Sequence, residues 1–148
     1  MSYTILTYHV VFATHGRRRW LSEPAADKLG GYVRGIAANL NGQLIAFGAA
    51  EDHVHVAASL PPTSAVSDLV GKIKANSSRW LRRNLDGFGL FRWQDGYAAF
   101  SVAPSVLPRV NRYIKRQREH HRRTTFEEEL AALLAARGIA HDNRIALG

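Results

Sequence analysis

Segments with strand character and segments with helix character alternate along this chain, and their order restricts the fold more than any other feature. Runs of β-branched and aromatic residues between turn residues predict strands, and apolar residues every three or four positions predict helices. The predicted strands are 3–14, 43–49, 53–60 and 91–102. The predicted helices are 22–39, a helix capped by Thr63 or Ser64 that reaches Leu81, 105–121 and 126–137.

This order, β-α-β-β-α-β followed by helices, is that of the split βαβ unit. It predicts an α+β, ferredoxin-like fold: one antiparallel sheet with helices on one face and an added C-terminal helix. A length of 148 residues is enough for one domain with a hydrophobic core and too short for two comfortable ones. We therefore interpret residues 1–148 as a single domain.

The composition excludes several classes of protein. Cysteine is absent, which excludes disulfides, thiol catalysis and cysteine-ligated zinc and fits a reducing, intracellular compartment. There is no apolar run of about 18 residues, so no membrane span is expected. The first residues do not combine a basic region with an apolar one, so we expect no secretory signal and a cytoplasmic location.

Positive charge is concentrated in clusters. The formal net charge is +8, and a strongly basic small domain most often binds nucleic acid, although charge can also serve solubility alone. Arginine also suits phosphate, because its forked guanidinium can bind two oxygens. The candidate DNA-binding residues lie in two of the clusters: Arg17, Arg18 and Arg19 in one, and Arg109, Arg112, Lys115 and Arg116 in the other.

A histidine pair, His53-Val54-His55, lies in a predicted strand. Side chains at positions i and i+2 of a strand point to the same face, with Cα atoms about 6.6–7 Å apart. Two imidazoles at this spacing can bind one divalent metal ion. The alternative is that both histidines are polar surface residues.

Tyr113 and Gln117 lie four residues apart in a predicted helix, and therefore on one face of it. Tyrosine can act as a nucleophile when a metal ion polarises the phosphate that it attacks, and the amide oxygen of Gln117 can be a third metal ligand. The alternative is that Tyr113 simply packs against the sheet. A tyrosine, a metal site and nearby arginines are together the parts that an enzyme cleaving a nucleic-acid strand requires.

Four separated blocks carry a more specific signal: residues 51–56 (EDHVHV), 69–74 (LVGKIK) with 77–81 (SSRWL), 93–102 (WQDGYAAFSV) and 113–121 (YIKRQREHH). In this order the chain resembles the single-tyrosine HUH transposases, the IS200-like family, over residues 3 to 142. The resemblance implies that His53 and His55 are the histidine pair of the family, Tyr113 the nucleophile and Gln117 the third metal ligand.

The resemblance also implies a reaction. With Mg²⁺ or Mn²⁺ bound, Tyr113 would cleave single-stranded DNA, form a 5′-phosphotyrosine and free a 3′-hydroxyl, and another strand would resolve the link. It implies recognition of DNA hairpins, for which Arg17–Arg19 are our candidate contacts, and a homodimer with active sites shared between subunits. Two alternatives stay open: a domesticated, non-catalytic protein that binds DNA or RNA hairpins, and a metal-dependent phosphodiesterase that uses water.

A few polar residues near these motifs receive weaker interpretations. Asp52 is a candidate to orient a histidine or is simply a turn acid. His120 and His121 are interpreted as a solvated helix end. His9 is given no role, and the three glutamates 127–129 are explained by the dipole of the helix that they begin.

Overall fold

The structure is a computed structural model that describes residues 1–139, so the last part of the family resemblance, to Asp142, lies outside the described residues. Within them, nine helices and strands follow in the order β1 (Thr7–Ala13), α1 (Glu23–Asn39), β2 (Gln43–Ala49), β3 (His53–Ser59), α2 (Val66–Asn84), β4 (Ala98–Ser101), α3 (Leu107–Lys115), α4 (Gln117–His120) and α5 (Phe126–Ala135). A 3₁₀ turn (His15–Arg17) follows β1. Among the described residues, no helix combines the length and apolar character needed to cross a membrane.

The four strands form one antiparallel sheet in the order β2-β3-β1-β4. Strand β1 pairs with β3 along its whole length, and Val11 lies opposite His55. With α1 and α2 as crossovers, this is the split βαβ arrangement, so the predicted α+β, ferredoxin-like class is confirmed.

Helices α1 and α2 cover one face of the sheet, where strand residues such as Phe12, Val54 and Val56 contribute to the main core. The start of α1 follows the sequence closely: Ser22 is the N-cap, and its side chain accepts a hydrogen bond from the backbone N–H of Ala25. The cap predicted for α2 is wrong. Ala65 occupies that position without a side-chain hydrogen bond, and the hydroxyl of Ser64 instead donates to the carbonyl of Leu40.

The opposite face is covered by the helices that follow β4, which include the predicted C-terminal helix. Ile114 of α3 packs on Ala46 and Ala57, and α5 packs through Phe126 and Leu130. The site described below therefore lies between the sheet and these helices.

Two further boundaries differ from prediction. The fourth strand is only Ala98–Ser101, because a turn with positive φ at Gly96 separates it from Trp93, which forms an isolated bridge to Thr14. The predicted helix 105–121 is broken at Arg116, whose φ of −102° and ψ of 18° are not helical, and this residue separates α3 from α4. Tyr113 and Gln117 are therefore not on one continuous helix.

Candidate metal centre and nucleophile

The histidine pair lies on β3, where the alternation of a strand gives each side chain its direction. Val54 and Val56 point into the main core, under α1 and α2. His53 and His55 therefore point to the opposite face, and both are fully buried there. The alternative that they are polar surface residues is excluded, and the prediction that they share one face is confirmed.

Each of these imidazoles is held through its Nδ1 atom. His53 Nδ1 lies 2.7 Å from Oδ1 of Asp52, and His55 Nδ1 lies 2.7 Å from Nε2 of His9. Both Nε2 atoms therefore face the space under α3 and α5. Partners of this kind fix the ring and tautomer of a metal-binding histidine. Asp52 thus has the orienting contact considered for it, whereas His9 was missed by the sequence interpretation.

Tyr113 and Gln117 reach the histidines despite the break at Arg116. Gln117 is fully buried, and its Oε1 atom lies 3.3 Å from Nε2 of His53. Its amide nitrogen donates to the carbonyl oxygen of Tyr113. The Tyr113 ring lies edge-on to that of His55, with 5.6 Å between the ring centroids. A single chain therefore brings the four predicted residues together.

Glu129 of α5 is the largest addition to the predicted site. It is 3% exposed, and its Oε1 atom lies 2.9 Å from Nε2 of His55 and 3.2 Å from Nε2 of His53. Its Oε2 atom accepts a hydrogen bond from the Tyr113 hydroxyl. The explanation of Glu129 by the helix dipole alone is therefore wrong.

The sequence does contain a signal for Glu129. Phe126, Glu129, Leu130 and Leu133 follow the spacing of one helix face, and the three apolar members pack on the sheet. A carboxylate within an apolar stripe must be buried with it, and a buried carboxylate requires a partner.

Burial and hydrogen bonding determine the charge state of the site without metal. Burial lowers the pKa of His55 to about 4. Burial also acts to lower the pKa of His53, but its hydrogen bonds to Asp52 and Glu129 outweigh this and raise it. Burial opposes ionisation of Glu129, yet the neighbouring imidazoles hold its pKa well below the usual range. Burial and Glu129 raise the pKa of Tyr113, so the phenol stays protonated and donates.

The residues around this carboxylate fit a metal ion. His53, His55, His121 and Glu129 each offer one donor atom, and the four atoms lie within 4.8 Å of one another. His121 Nε2 is buried and makes no hydrogen bond with the described residues, although it lies 3.0 Å from Glu129 Oε1. A nitrogen lone pair buried in this way is suited to a metal ion. The interpretation of His121 as part of a solvated helix end is wrong, because its side chain is only 9% exposed.

Two clefts flank the site. One, of about 840 Å³, contains Tyr113 and has a basic lining, with Glu119 as its one acid and five arginines: Arg109, Arg112, Arg116, Arg122 and Arg123. The other, of about 830 Å³, has a lining of mixed charge beside Asp52, where Arg17 pairs with Glu127 and Arg19 with Glu51. Arg18 instead lies over the ring of Trp20, at 4.8 Å, and Lys115 is exposed and lines neither of these two clefts.

Comparison with known proteins places these features in a family context. The sequence model of the family described as "Transposase IS200 like" matches residues 2–117. The ISDra2 transposase TnpA of Deinococcus radiodurans is 29% identical over 121 residues, which cover 77% of this chain and 85% of that protein. The transposase for insertion sequence element IS200 of Salmonella typhimurium is 28% identical over 120 residues, 76% of each chain.

Solved structures agree on the fold. A crystal structure of a transposase from Deinococcus radiodurans R1 superposes with a TM-score of 0.63 at 25% identity, covering 79% of this chain and 94% of the other. A REP-associated tyrosine transposase, solved bound to a REP hairpin, superposes with a TM-score of 0.62 and covers 95% of this chain and 86% of its own. At 16% identity this second likeness concerns the fold alone.

Proposed function

The chain belongs to the family of IS200-like transposases, and from this premise we propose that it cleaves and joins single-stranded DNA through a covalent bond to Tyr113. One observation carries the proposal. The Tyr113 hydroxyl donates to a carboxylate that also contacts His53 and His55, while the same tyrosine lines a cleft that contains five arginines. Nucleophile, candidate metal ligands and phosphate-binding groups therefore meet at one point.

In this proposal His53 and His55, with Gln117, hold Mg²⁺ or Mn²⁺. When bound, such an ion polarises the scissile phosphate and stabilises its developing charge. The residues of the chain bind the substrate and orient the nucleophile. Arginines of the cleft bind the flanking phosphates, and the hydrogen bond to Glu129 orients the Tyr113 hydroxyl.

The bond changes balance without hydrolysis of a nucleotide. The phenolic oxygen of Tyr113 bonds to phosphorus, and the bond between phosphorus and the 3′ oxygen breaks. The phenolic proton is released to solvent as the bond forms, and the departing 3′ oxygen takes a proton from solvent. The downstream strand is then attached as a 5′-phosphotyrosine until the 3′-hydroxyl of another strand attacks the same phosphorus and releases Tyr113.

Hairpin DNA is the proposed substrate. One of the structures with the same fold is a transposase bound to a REP hairpin. In this chain five arginines line the cleft beside Tyr113, and Arg17 and Arg19 line the cleft beside Asp52. We assign backbone contacts to Arg109, Arg112, Lys115 and Arg116 and hairpin contacts to Arg17, Arg18 and Arg19. Phosphate contacts of this kind contribute affinity that decreases as the salt concentration rises.

A homodimer with shared active sites is proposed from the family resemblance, although one chain already brings Tyr113 beside its own histidines. In such a dimer α3, which follows β4 through the segment 102–106, would make the same contacts with the sheet of a second copy. Mixing His53→Ala protein with Tyr113→Phe protein tests this. Cleavage restored by mixing supports shared sites, and two proteins that stay inactive together indicate that each chain uses its own tyrosine.

The experiment that tests the function uses single-stranded hairpin DNA from the flanks of the protein's own gene, with Mn²⁺ and a denaturing gel. A strand labelled at its 3′ end should move with the protein, and one labelled at its 5′ end should give a shorter free fragment. Both signals should disappear in Tyr113→Phe. Cleavage without a covalent band indicates a phosphodiesterase that uses water, and binding without cleavage indicates a non-catalytic hairpin-binding protein.

A further inference from the structure

We propose that His121 and Glu129 join His53, His55 and Gln117 as ligands of the metal centre, and that this donor set selects a first-row transition ion such as Mn²⁺ over Mg²⁺. The inference rests on the proposed function, because it concerns the metal centre assigned there. It adds two ligands that lie beyond residue 117, where the match to the family ends.

The geometry supports a common ligand site. Nε2 atoms of three imidazoles surround Oε1 of Glu129: His55 at 2.9 Å, His121 at 3.0 Å and His53 at 3.2 Å. Ligand atoms that are each about 2.0–2.2 Å from one ion stand roughly 3–4 Å apart. The three separations from Oε1 are close to the lower end of this range, and all four donor atoms lie within 4.8 Å of one another.

His121 is aimed at the same carboxylate oxygen as the other two histidines. Its Nε2 atom is buried and lies 3.0 Å from Oε1 of Glu129, but this contact does not have hydrogen-bond geometry. The His121 ring also lies 4.2 Å from that of His53, at a steep angle, so both rings are held close to the same point. Coordination of an ion satisfies this nitrogen directly.

Glu129 is held in place by the helix that carries it. A capping box of Thr125 and Glu128 fixes the first turn of α5, and the neighbouring Phe126 and Leu130 are each 2% exposed. The backbone therefore keeps the carboxylate inside the ring of histidines. Because Oε2 binds the Tyr113 hydroxyl, the same side chain connects the nucleophile to the proposed metal centre.

The donor set determines the expected preference. Mg²⁺ binds oxygen ligands and retains several waters. Imidazole suits first-row transition ions, for which the affinity of a given site increases from Mn²⁺ through Fe²⁺ and Co²⁺ to Cu²⁺. Three imidazoles with the carboxylate of Glu129 and the amide oxygen of Gln117 form a site in which nitrogen donors predominate. We therefore expect Mn²⁺ to bind with one ion per chain and Mg²⁺ to compete poorly.

The test measures metal binding and needs no activity. Chelator-treated full-length protein is titrated with Mn²⁺, and the free ion is measured by its electron paramagnetic resonance signal. Glu129→Gln and His121→Asn should each weaken Mn²⁺ binding by about tenfold or more, since even partners that only support ligands change affinity by about 10–100-fold. Glu127→Gln removes a carboxylate from the same helix outside the cluster, where it pairs with Arg17, and should leave Mn²⁺ binding unchanged.

The outcomes separate this inference from the proposed function. The inference would be overturned if Glu129→Gln and His121→Asn bound Mn²⁺ as tightly as wild type. If wild-type protein still cleaved DNA with Mn²⁺ in that case, the proposed function would stand. Wild-type protein that binds no Mn²⁺ would remove the metal centre from both. Displacement of Mn²⁺ by an equal concentration of Mg²⁺ would refute the selectivity. Circular dichroism checks that each variant is folded. If Glu129→Gln does not fold, the Mn²⁺ affinity of His121→Asn alone decides the test.

Discussion

Substitution of Gly48 by alanine tests how the tyrosine helix is positioned. Gly48 lies on β2 beside His55 of β3, and α3 approaches the sheet closely at this point. A Cβ atom built on Gly48 would lie 1.7 Å from the backbone carbonyl oxygen of Ile114. A Cβ atom essentially never lies nearer than 3.0 Å to a heavy atom of a non-neighbouring residue. Helix α3 and strand β2 must therefore separate by at least about 1.3 Å, which displaces Tyr113, the residue before Ile114, relative to His55.

Two magnitudes follow. A displacement of about 1 Å in a reacting group can reduce the rate about 100-fold, so Gly48→Ala should reduce formation of the covalent protein–DNA complex by about that factor. Overpacking of this kind destabilises by about 1–3 kcal/mol. For a chain of this size the thermal midpoint should therefore fall by roughly 2–12 °C.

The assay compares initial rates on hairpin DNA with thermal unfolding of the same preparations. Gly31→Ala is the matched control, because a Cβ atom at Gly31 of α1 meets no atom within 4 Å. The control should keep the wild-type rate and unfold at an equal or slightly higher temperature, since alanine stabilises a helix relative to glycine. A rate for Gly48→Ala within about threefold of the control would refute the argument that close packing at Gly48 positions Tyr113.

Three other perturbations have defined outcomes. Asp52→Ala removes the partner of His53 Nδ1 and should weaken Mn²⁺ binding about 10–100-fold; calorimetry that gives an unchanged affinity would contradict this role. Arg112→Ala should lower the salt dependence of single-stranded DNA binding by about 0.7 in the logarithmic slope, and an unchanged slope would mean that Arg112 contacts no phosphate. Lys74 donates to the carbonyl of Gln94 at 2.7 Å, so Lys74→Met should lower the free energy of unfolding by about 1.5–3 kcal/mol in a denaturant titration. Equal denaturant midpoints for Lys74→Met and wild type would show that this hydrogen bond does not contribute to stability.

The fold could be predicted because its signals are local. The N-cap at Ser22 and both ends of β2 agree with the sequence prediction. The break at Arg116 could not be predicted, since residues 112–121 contain neither glycine nor proline. This break separates two side chains that are buried in different places: Ile114 against the sheet and Gln117 beside His53. Such a requirement arises only in the folded chain.

The candidate site also combines features that are local in the sequence with features that arise only in the folded chain. The shared face of His53 and His55 follows from the alternation of one strand. His9 contacts His55 only because β1 pairs with β3 in the register that places Val11 opposite His55. Glu129 approaches the histidines from a helix 74 residues further along the chain than His55. The sequence could indicate that Glu129 is buried, but only the packing of α5 identifies its partners.

Mass spectrometry of the covalent complex tests the central claim most directly. After reaction with hairpin DNA, the complex is digested with nuclease and then with trypsin, which cuts after Arg112 and Lys115. We expect a nucleotide 5′-phosphate on the fragment 113–115, attached to Tyr113, and no modified fragment from Tyr113→Phe. A nucleotide attached to any other residue, or DNA cleaved without a modified fragment, would contradict the assignment of Tyr113 as the nucleophile.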